Sequence, residues 1–284
     1  MGRPDKEGDW DLIIEPASTG RARLTEVFRH WDLLLLFVRR DLVVQYKQTV
    51  LGPLWILLQP LLRVATFYIV FGRIAEVPTD GVPPILFYLV GLVFWEFFAS
   101  VWKRTSDLFF ANQQIFSKVY FPRMVMAWSV VLSAGVRLAV QIVLLVAVAV
   151  FYHFSGYSFH WQPTVLLIPV YVAVMAMLSV GLGLIFASIT AKYRDLRFLI
   201  DVIIQLALFL SPIIYPLSLA QGLFRTLLLA NPMTSLLEAL RFGVLGKGAF
   251  LPSALLYSVG ASVLVFLIGY GVFLRTERKV MDTI

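Results

Sequence analysis

Six long apolar runs alternate with polar connections along the 284 residues, at about 53–72, 83–101, 125–152, 163–189, 198–215 and 252–274. Each approaches the roughly 20 apolar residues that a transmembrane helix needs. The pattern predicts an all-α integral membrane protein with six transmembrane helices. The third and fourth runs are long enough to tilt or to project from the bilayer. The fifth is the shortest and ends at Pro212 and Pro216. The runs are continuous rather than alternating, which argues against a β-barrel. Nothing has the layout of a cleaved signal peptide, since the run Leu33–Val38 is too short and follows a long polar segment.

The stretches between runs carry a second pattern. Residues 1–23 are polar and read as a lead-in. Residues 24–47 read as a helix, with Leu24, Val27, Phe28, Trp31, Leu34, Leu35, Val38 and Leu42 on one face at helical spacing. Glu26, Arg29, Arg40 and Lys47 lie opposite, and Leu33, Leu36 and Phe37 interrupt the polar side. A basic amphipathic helix before a first span suits the membrane surface. In the second connection, Ile115, Phe116, Val119 and Tyr120 form a short apolar patch that Pro122 terminates. Such a patch docks into a partner groove or into the headgroup layer. The fifth connection, 216–251, holds apolar runs too short to span, broken at Asn231-Pro232 and at Gly246-Lys247-Gly248. These runs predict re-entrant or interfacial helices packed against protein. Glu238 and Arg241 are spaced to pair on one helix face.

Composition agrees with the pattern. Apolar residues make up 60% and charged residues 14%, against about 45–50% and 25% in soluble domains. Mean hydropathy is +0.83. A net charge of +7 would suggest nucleic acid in a soluble protein, but the placement of the charges explains it here. Of the 24 lysines and arginines, 18 fall before the first span, in the second and fourth connections and in the tail; four fall in the other connections. The basic side is the cytoplasmic one, which puts both termini in the cytoplasm. Two arginines, Arg63 and Arg137, lie inside spans with Glu96 and Asp201. Buried charges of this kind face protein or water. They form either a polar pathway or inter-helix ion pairs such as Arg137 with Asp201. Numerous aromatics, among them Phe67, Tyr68, Phe71, Trp95, Phe209 and Tyr215, belong to the core, to the interfacial belt or to a pathway whose flat faces meet sugar rings.

Several chemistries are missing. The chain lacks the glycine-rich phosphate loop G-x-x-x-x-G-K-[ST], so it is not expected to hydrolyse ATP. His30, His153 and His160 are scattered, and there is no cysteine, so no metal site is expected. Asp9-Trp10-Asp11 sits in the polar lead-in and reads as chance. A proton- or sodium-driven carrier would show more buried carboxylates and an inverted repeat.

The string RRDLVVQYKQTVLGPLWILLQP at 39–60 resembles the start of the permease subunits of type-2 ABC exporters of cell-surface polysaccharides. That group includes Wzm-like O-antigen, teichoic-acid and capsule exporters. The resemblance rests on Arg40-Asp41, Tyr46-Lys47, Leu51-Gly52 and Trp55, and extends through 116–123, Tyr193-Arg194-Asp195, Ser211-Pro212-Ile213, Tyr215-Pro216 and Asn231-Pro232. It implies an interface helix at 24–50, a six-helix permease domain at 51–275 and a tail at 276–284. In the interface helix it singles out Trp31, Arg39, Arg40, Asp41, Tyr46 and Lys47. It makes Asn112, Ile115, Phe116, Lys118, Val119 and Tyr120 the coupling helix that meets a separate Wzt-like ABC ATPase, the nucleotide-binding subunit holding ATP and Mg. It implies two copies of the chain around a channel in the bacterial inner membrane, and a lipid-linked (undecaprenyl-type) glycan as substrate. Arg63, Phe67, Tyr68, Phe71, Trp95, Phe209 and Tyr215 are its substrate-pathway candidates, and the chain has no catalytic, cofactor or metal residue of its own. A lipid or drug exporter permease of the same fold, a secondary carrier and a membrane glycosyltransferase are the rival readings.

Overall fold

The computed structural model describes residues 30–113, 122–158, 162–193 and 195–281. Helix α1 spans Trp31–Tyr46, α2 Trp55–Phe67, α3 Pro84–Ser106 and the short α4 Leu108–Ala111. Then follow α5 (Met124–Phe154), α6 (Ile168–Thr190), α7 (Leu196–Phe209), α8 (Gly222–Ala230), α9 (Pro232–Leu245) and α10 (Pro252–Met281). No strand occurs among the described residues. The predicted lead-in, the motif Asp9-Trp10-Asp11, the start of the 24–47 helix and the coupling residues Ile115, Phe116, Lys118, Val119 and Tyr120 lie outside them.

Helix α3 is the axis. Tyr88, Leu89, Val90, Val93 and Phe94 are fully buried, and α3 touches α2, α5, α6, α7 and α9. Helix α10 lies along α6, and α1 lies on α5. Small residues set the closest approach. A Cβ at Gly181 of α6 would stand 2.7 Å from the Phe266 backbone of α10. Only glycine lets these two backbones meet, which is how helices associate where no hydrophobic force separates protein from lipid.

Five segments are long and apolar enough to cross a bilayer: Gly52–Ile74, Pro84–Ser106, Met124–Phe154, Pro163–Thr190 and Pro252–Glu277. The fifth predicted span, 198–215, is not a continuous helix. Helix α7 has 14 residues, about 21 Å at 1.5 Å per residue, short of the roughly 30 Å hydrocarbon core. The chain still runs the length of α3. Near its start, Asp201 pairs with Lys103 at 3.0 Å, and beyond its end Ser218 bonds Asp80 in the α2–α3 connection at 2.8 Å. Residues 210–216 continue along α3 without a helix, and Ser211, Pro212, Ile213, Ile214, Pro216 and Leu217, where a 3-10 turn begins, are buried in protein. Irregular backbone at this depth is tolerated only under such cover.

Three carbonyls at the end of α7 and in the irregular stretch after it are taken up by side chains. Tyr215 Oη donates to Phe209 O (2.9 Å), Asn231 Nδ2 to Leu210 O (3.1 Å) and Arg241 Nη2 to Ile213 O (3.0 Å). Two of the three donors sit on the hairpin α8–α9. Asn231 is its tip: its side chain accepts from Met233 N at 3.0 Å, and Pro232 opens α9, a standard helix start. The hairpin dips to the level of Leu210 and returns, so the apolar runs of 216–251 form a re-entrant pair.

Two expectations about side chains are corrected. Asp201 does not meet Arg137. It pairs with Lys103, while Arg137 donates to Gln45 Oε1 (2.8 Å) and Ser100 Oγ (2.7 Å). The two lie on separate helices, and each finds a nearer partner. Phe37, which helical spacing places on the polar face of α1, is buried with Leu34 and Val38, whereas Trp31 and Leu35 are exposed at 47% and 46%. The buried stripe of α1 is rotated because α5 receives it.

Candidate functional site

The charged residues gather at the Asp107 end of the bundle. Asp41 of α1 accepts from Arg40 at 2.9 Å and, through its other oxygen, from Arg104 of α3. Arg40 Nη2 also donates to Asn112 Oδ1 at 3.3 Å. Asp107 accepts from Arg197 of α7 at 2.8 Å and faces Lys103 at 3.4 Å. These contacts surround α4, the short helix leading to residues 114–121. Leu108 is buried. Phe109 stacks on Phe273 of α10 at 5.1 Å, with the Arg123 guanidinium 5.5 Å from the Phe109 ring. The Arg197 guanidinium lies 4.0 Å from the Phe110 ring, a cation–π contact. Arg123 in turn pairs with Glu277 at 3.7 Å. Helices α1, α3, α5, α7 and α10 are all tied to this one turn.

Below α1 these residues line a cavity of about 520 Å³. Arg40, Arg104 and Arg137 face it with Asp41, Asp107, Gln45 and Asn112. One nitrogen of Arg104, Nη1, is buried with no hydrogen-bond partner among the described residues. Tyr46 sits near Arg137, and burial raises its hydroxyl above the ordinary tyrosine range. The cavity holds three cations against two carboxylates, with Val44, Met126 and Val130 completing its lining, so it can receive an anion.

A second polar pair lies deeper. Arg63 of α2 and Glu96 of α3 approach to 3.4 Å, with Arg63 54% exposed. At the other end of the bundle, Arg241 and Glu238 of α9 are fully enclosed and joined at 3.1 Å. The Arg241 guanidinium lies 3.8 Å from the Phe87 ring.

Comparison with known proteins places this arrangement. Residues 32–245 match the ABC-2 type transporter family, which covers α1 through α9. The chain belongs to the ABC-2 type transporter family. It is 29% identical over 212 residues to the O-antigen export system permease protein RfbA of Klebsiella pneumoniae, covering 74% of this chain and 79% of the relative. The match to the protein of that name from Myxococcus xanthus is 30% over 218 residues, 75% and 80% of the two chains. The polysialic acid transport protein KpsM of Escherichia coli is 24% identical over 245 residues, 86% and 93% of the two chains.

In this ABC-2 transporter chain the residues singled out from sequence fall into three groups. Arg40, Asp41 and Asn112 are joined at the Asp107 end, with Tyr46 close by. Arg39 and Lys47 are exposed beside them, and Trp31 stands at the far end of α1. Phe67, Tyr68 and Phe71 lie where α2 gives way to the π-helical turns Tyr68–Ile74, and Phe67 and Phe71 meet edge to face at 5.4 Å. Tyr215 tilts against Phe224 of α8 at 5.9 Å, and Phe209 is 48% exposed. Trp95 is separate: it is buried and lines an apolar cavity with Phe98 and Trp102. In the sequence Arg104 and Arg197 count only toward the basic bias, and Asp107 is one acid of the second connection. Their spacing carries no sign of joint action, because α1, α3 and α7 are brought together only by the fold.

Proposed function

We propose that the chain is the permease subunit of an ATP-driven exporter that moves a lipid-linked cell-surface polysaccharide across the bacterial inner membrane. The observation that carries this reading is the charged lattice at the Asp107 end. There the interface helix α1, the central helix α3 and α7 are linked to the one turn that leads into residues 114–121. The names of the relatives support the polysaccharide as cargo. The basic bias of the flanking connections supports a cytoplasmic location for this end and for both termini.

ATP and Mg bind to a separate Wzt-like ATPase subunit, and this chain supplies no catalytic group. Ile115, Phe116, Lys118, Val119 and Tyr120 enter the groove of that ATPase, with Asn112 at their root. A push on this segment reaches α1 through Asn112 and Arg40, and α7 through Asp107 and Arg197. Two copies of the chain enclose the passage, related by a two-fold axis. Helices α2 and α7 present their exposed faces to it. Arg63 supports this placement: an arginine facing lipid at a helix centre costs about 2.5–3.5 kcal/mol, whereas one facing a wet passage does not. The anionic head of the carrier lipid enters at Lys47 and Arg39 and rests in the 520 Å³ cavity against Arg40, Arg104 and Arg137. Phe67, Tyr68, Phe71, Phe209 and Tyr215 offer ring faces to the sugars, while Trp95, turned into an apolar cavity, is left out of the passage.

The deciding experiment is co-purification of the tagged chain with the product of a neighbouring ATPase-like gene, followed by ATP turnover in lipid. A stable complex that hydrolyses ATP is expected. A chain that purifies alone, with no nucleotide-binding partner, would overturn the reading in favour of a carrier or a membrane enzyme.

A further inference from the structure

Asp41 is held from two sides. Its Oδ1 accepts from Arg40 Nε at 3.2 Å and from Arg40 Nη2 at 2.9 Å, and its Oδ2 accepts from Arg104 Nη2. The side chain is 10% exposed. Two guanidinium groups converging on one anion is how arginines hold a phosphate. Here the anion belongs to the chain itself.

The charges around it do not balance. Asp107, the other carboxylate of the cavity, is committed to Arg197 and Lys103, and neither of those lines the cavity. Asp41 alone therefore answers Arg40, Arg104 and Arg137. Among the described residues Arg137 makes no ion pair; it donates to the neutral acceptors Gln45 Oε1 and Ser100 Oγ. Arg104 Nη1 is buried and has no hydrogen-bond partner among the described residues, and an unmet charged donor is costlier than a neutral one. One carboxylate cannot serve all three arginines. A head group with more than one negative charge and several acceptor oxygens can, and the cavity of about 520 Å³ has room for it.

We propose that Asp41 is a built-in competitor for the anionic head of the carrier lipid, and that the head binds by taking Arg104 from it. This inference rests on the proposed function, which brings that head to the cavity, and adds what regulates its binding. The apparent affinity of the head is lowered to the extent that Asp41 holds Arg104. Weakened binding suits a site whose ligand must leave again for the passage. The exchange also reaches the coupling turn. Arg40, the partner that Asp41 keeps, donates to Asn112 Oδ1 at 3.3 Å, and Asn112 Nδ2 donates to Leu108 O at 3.1 Å. Binding of the head and the position of the turn before residues 114–121 are thus coupled, and the coupling is reciprocal.

The test measures binding of inorganic pyrophosphate and of farnesyl pyrophosphate to the full-length chain in phosphatidylcholine nanodiscs, without magnesium, by titration calorimetry. Asp41→Asn, or Asp41→Ser if the first variant misfolds, is expected to tighten both about tenfold, because no resident anion has to be displaced. Asp107→Asn removes the same charge from the same cavity without freeing Arg40 or Arg104, and is expected to change affinity by about threefold at most, since that carboxylate is already paired. Adding Arg104→Gln to Asp41→Asn is expected to abolish the gain. Equal gains from Asp41→Asn and Asp107→Asn would overturn the inference, because a general field effect acts through either acid. Binding that Asp41→Asn leaves unchanged would overturn it too, while keeping the head in the cavity and the proposed function intact. Failure of both probes to bind any variant would remove the head from the cavity, and the competition with it. A gain confined to inorganic pyrophosphate would assign the site to a free anion and overturn the role of the lipid head.

Discussion

Asp41 of α1 and Arg104 of the central helix α3 are joined by an ion pair that crosses 63 positions of sequence. Asp41 also holds Arg40, so one carboxylate keeps two guanidinium groups apart. Asp41→Ala leaves Arg40 and Arg104 facing each other across the cavity. With the two arginine side chains about one-third exposed, the expected cost is about 1–2 kcal/mol rather than that of a fully buried pair. Export is expected to fall while ATP turnover by the complex persists, because the link from α1 to α3 is lost. Equal loss of both activities would assign Asp41 to assembly alone.

The Glu238–Arg241 pair answers differently. Both side chains are 2% exposed. Removing one partner strands a buried charge, which costs about 3–5 kcal/mol, whereas replacing both with apolar residues of similar volume is far cheaper. Glu238→Ala is therefore expected to be more damaging than Glu238→Leu/Arg241→Met together. Thermal unfolding of the purified chain in detergent checks the order. Part of the cost of losing Arg241 also falls on the Ile213 carbonyl it serves, so additive single and double effects would refute the account.

The contact of α6 with α10 turns on a missing side chain. Gly181→Leu puts atoms where the Phe266 backbone already lies and is expected to destabilise the fold by about 1–3 kcal/mol, as overpacking does. Gly135→Ala on α5, where nothing lies within 4 Å of a new Cβ, serves as the tolerated control. Folded yield on size exclusion separates the two.

The sidedness is open to a direct check, because the chain has no cysteine of its own. Ser155 and Lys192 are both exposed, beyond the ends of α5 and α6. A membrane-impermeant thiol reagent on intact cells is expected to label Ser155→Cys and to spare Lys192→Cys until the membrane is opened. The opposite pattern would invert the topology.

Coupling is tested outside the described residues. Phe116→Glu/Tyr120→Glu is expected to prevent recovery of the chain with its ATPase while leaving membrane insertion intact. An undiminished complex would remove residues 114–121 from the contact.

Much of this architecture was legible from periodicity alone. A run of 20 apolar residues has one stable fate in a bilayer, so five crossings and the short re-entrant runs followed from composition and length, and lysine and arginine placement implied their direction. The basic and amphipathic character of α1 was legible too, but not which stripe it buries, since Phe37 is turned inward by the surface of α5. Local pattern determines what a segment can bury; its neighbours determine which side does so.

The break after Phe209 marks the boundary between the two kinds of information. The sequence by itself placed prolines at 212 and 216 and so limited how far a helix could continue. It did not determine that the chain continues along α3 without a helix, because that depends on Tyr215, Asn231 and Arg241 arriving to satisfy three carbonyls in a medium without water. Two of those donors lie on a hairpin whose position exists only in the folded molecule. The partner of Asp201 was decided in the same way: ion pairs are chosen by distance in space, and the fold brought Lys103 to it.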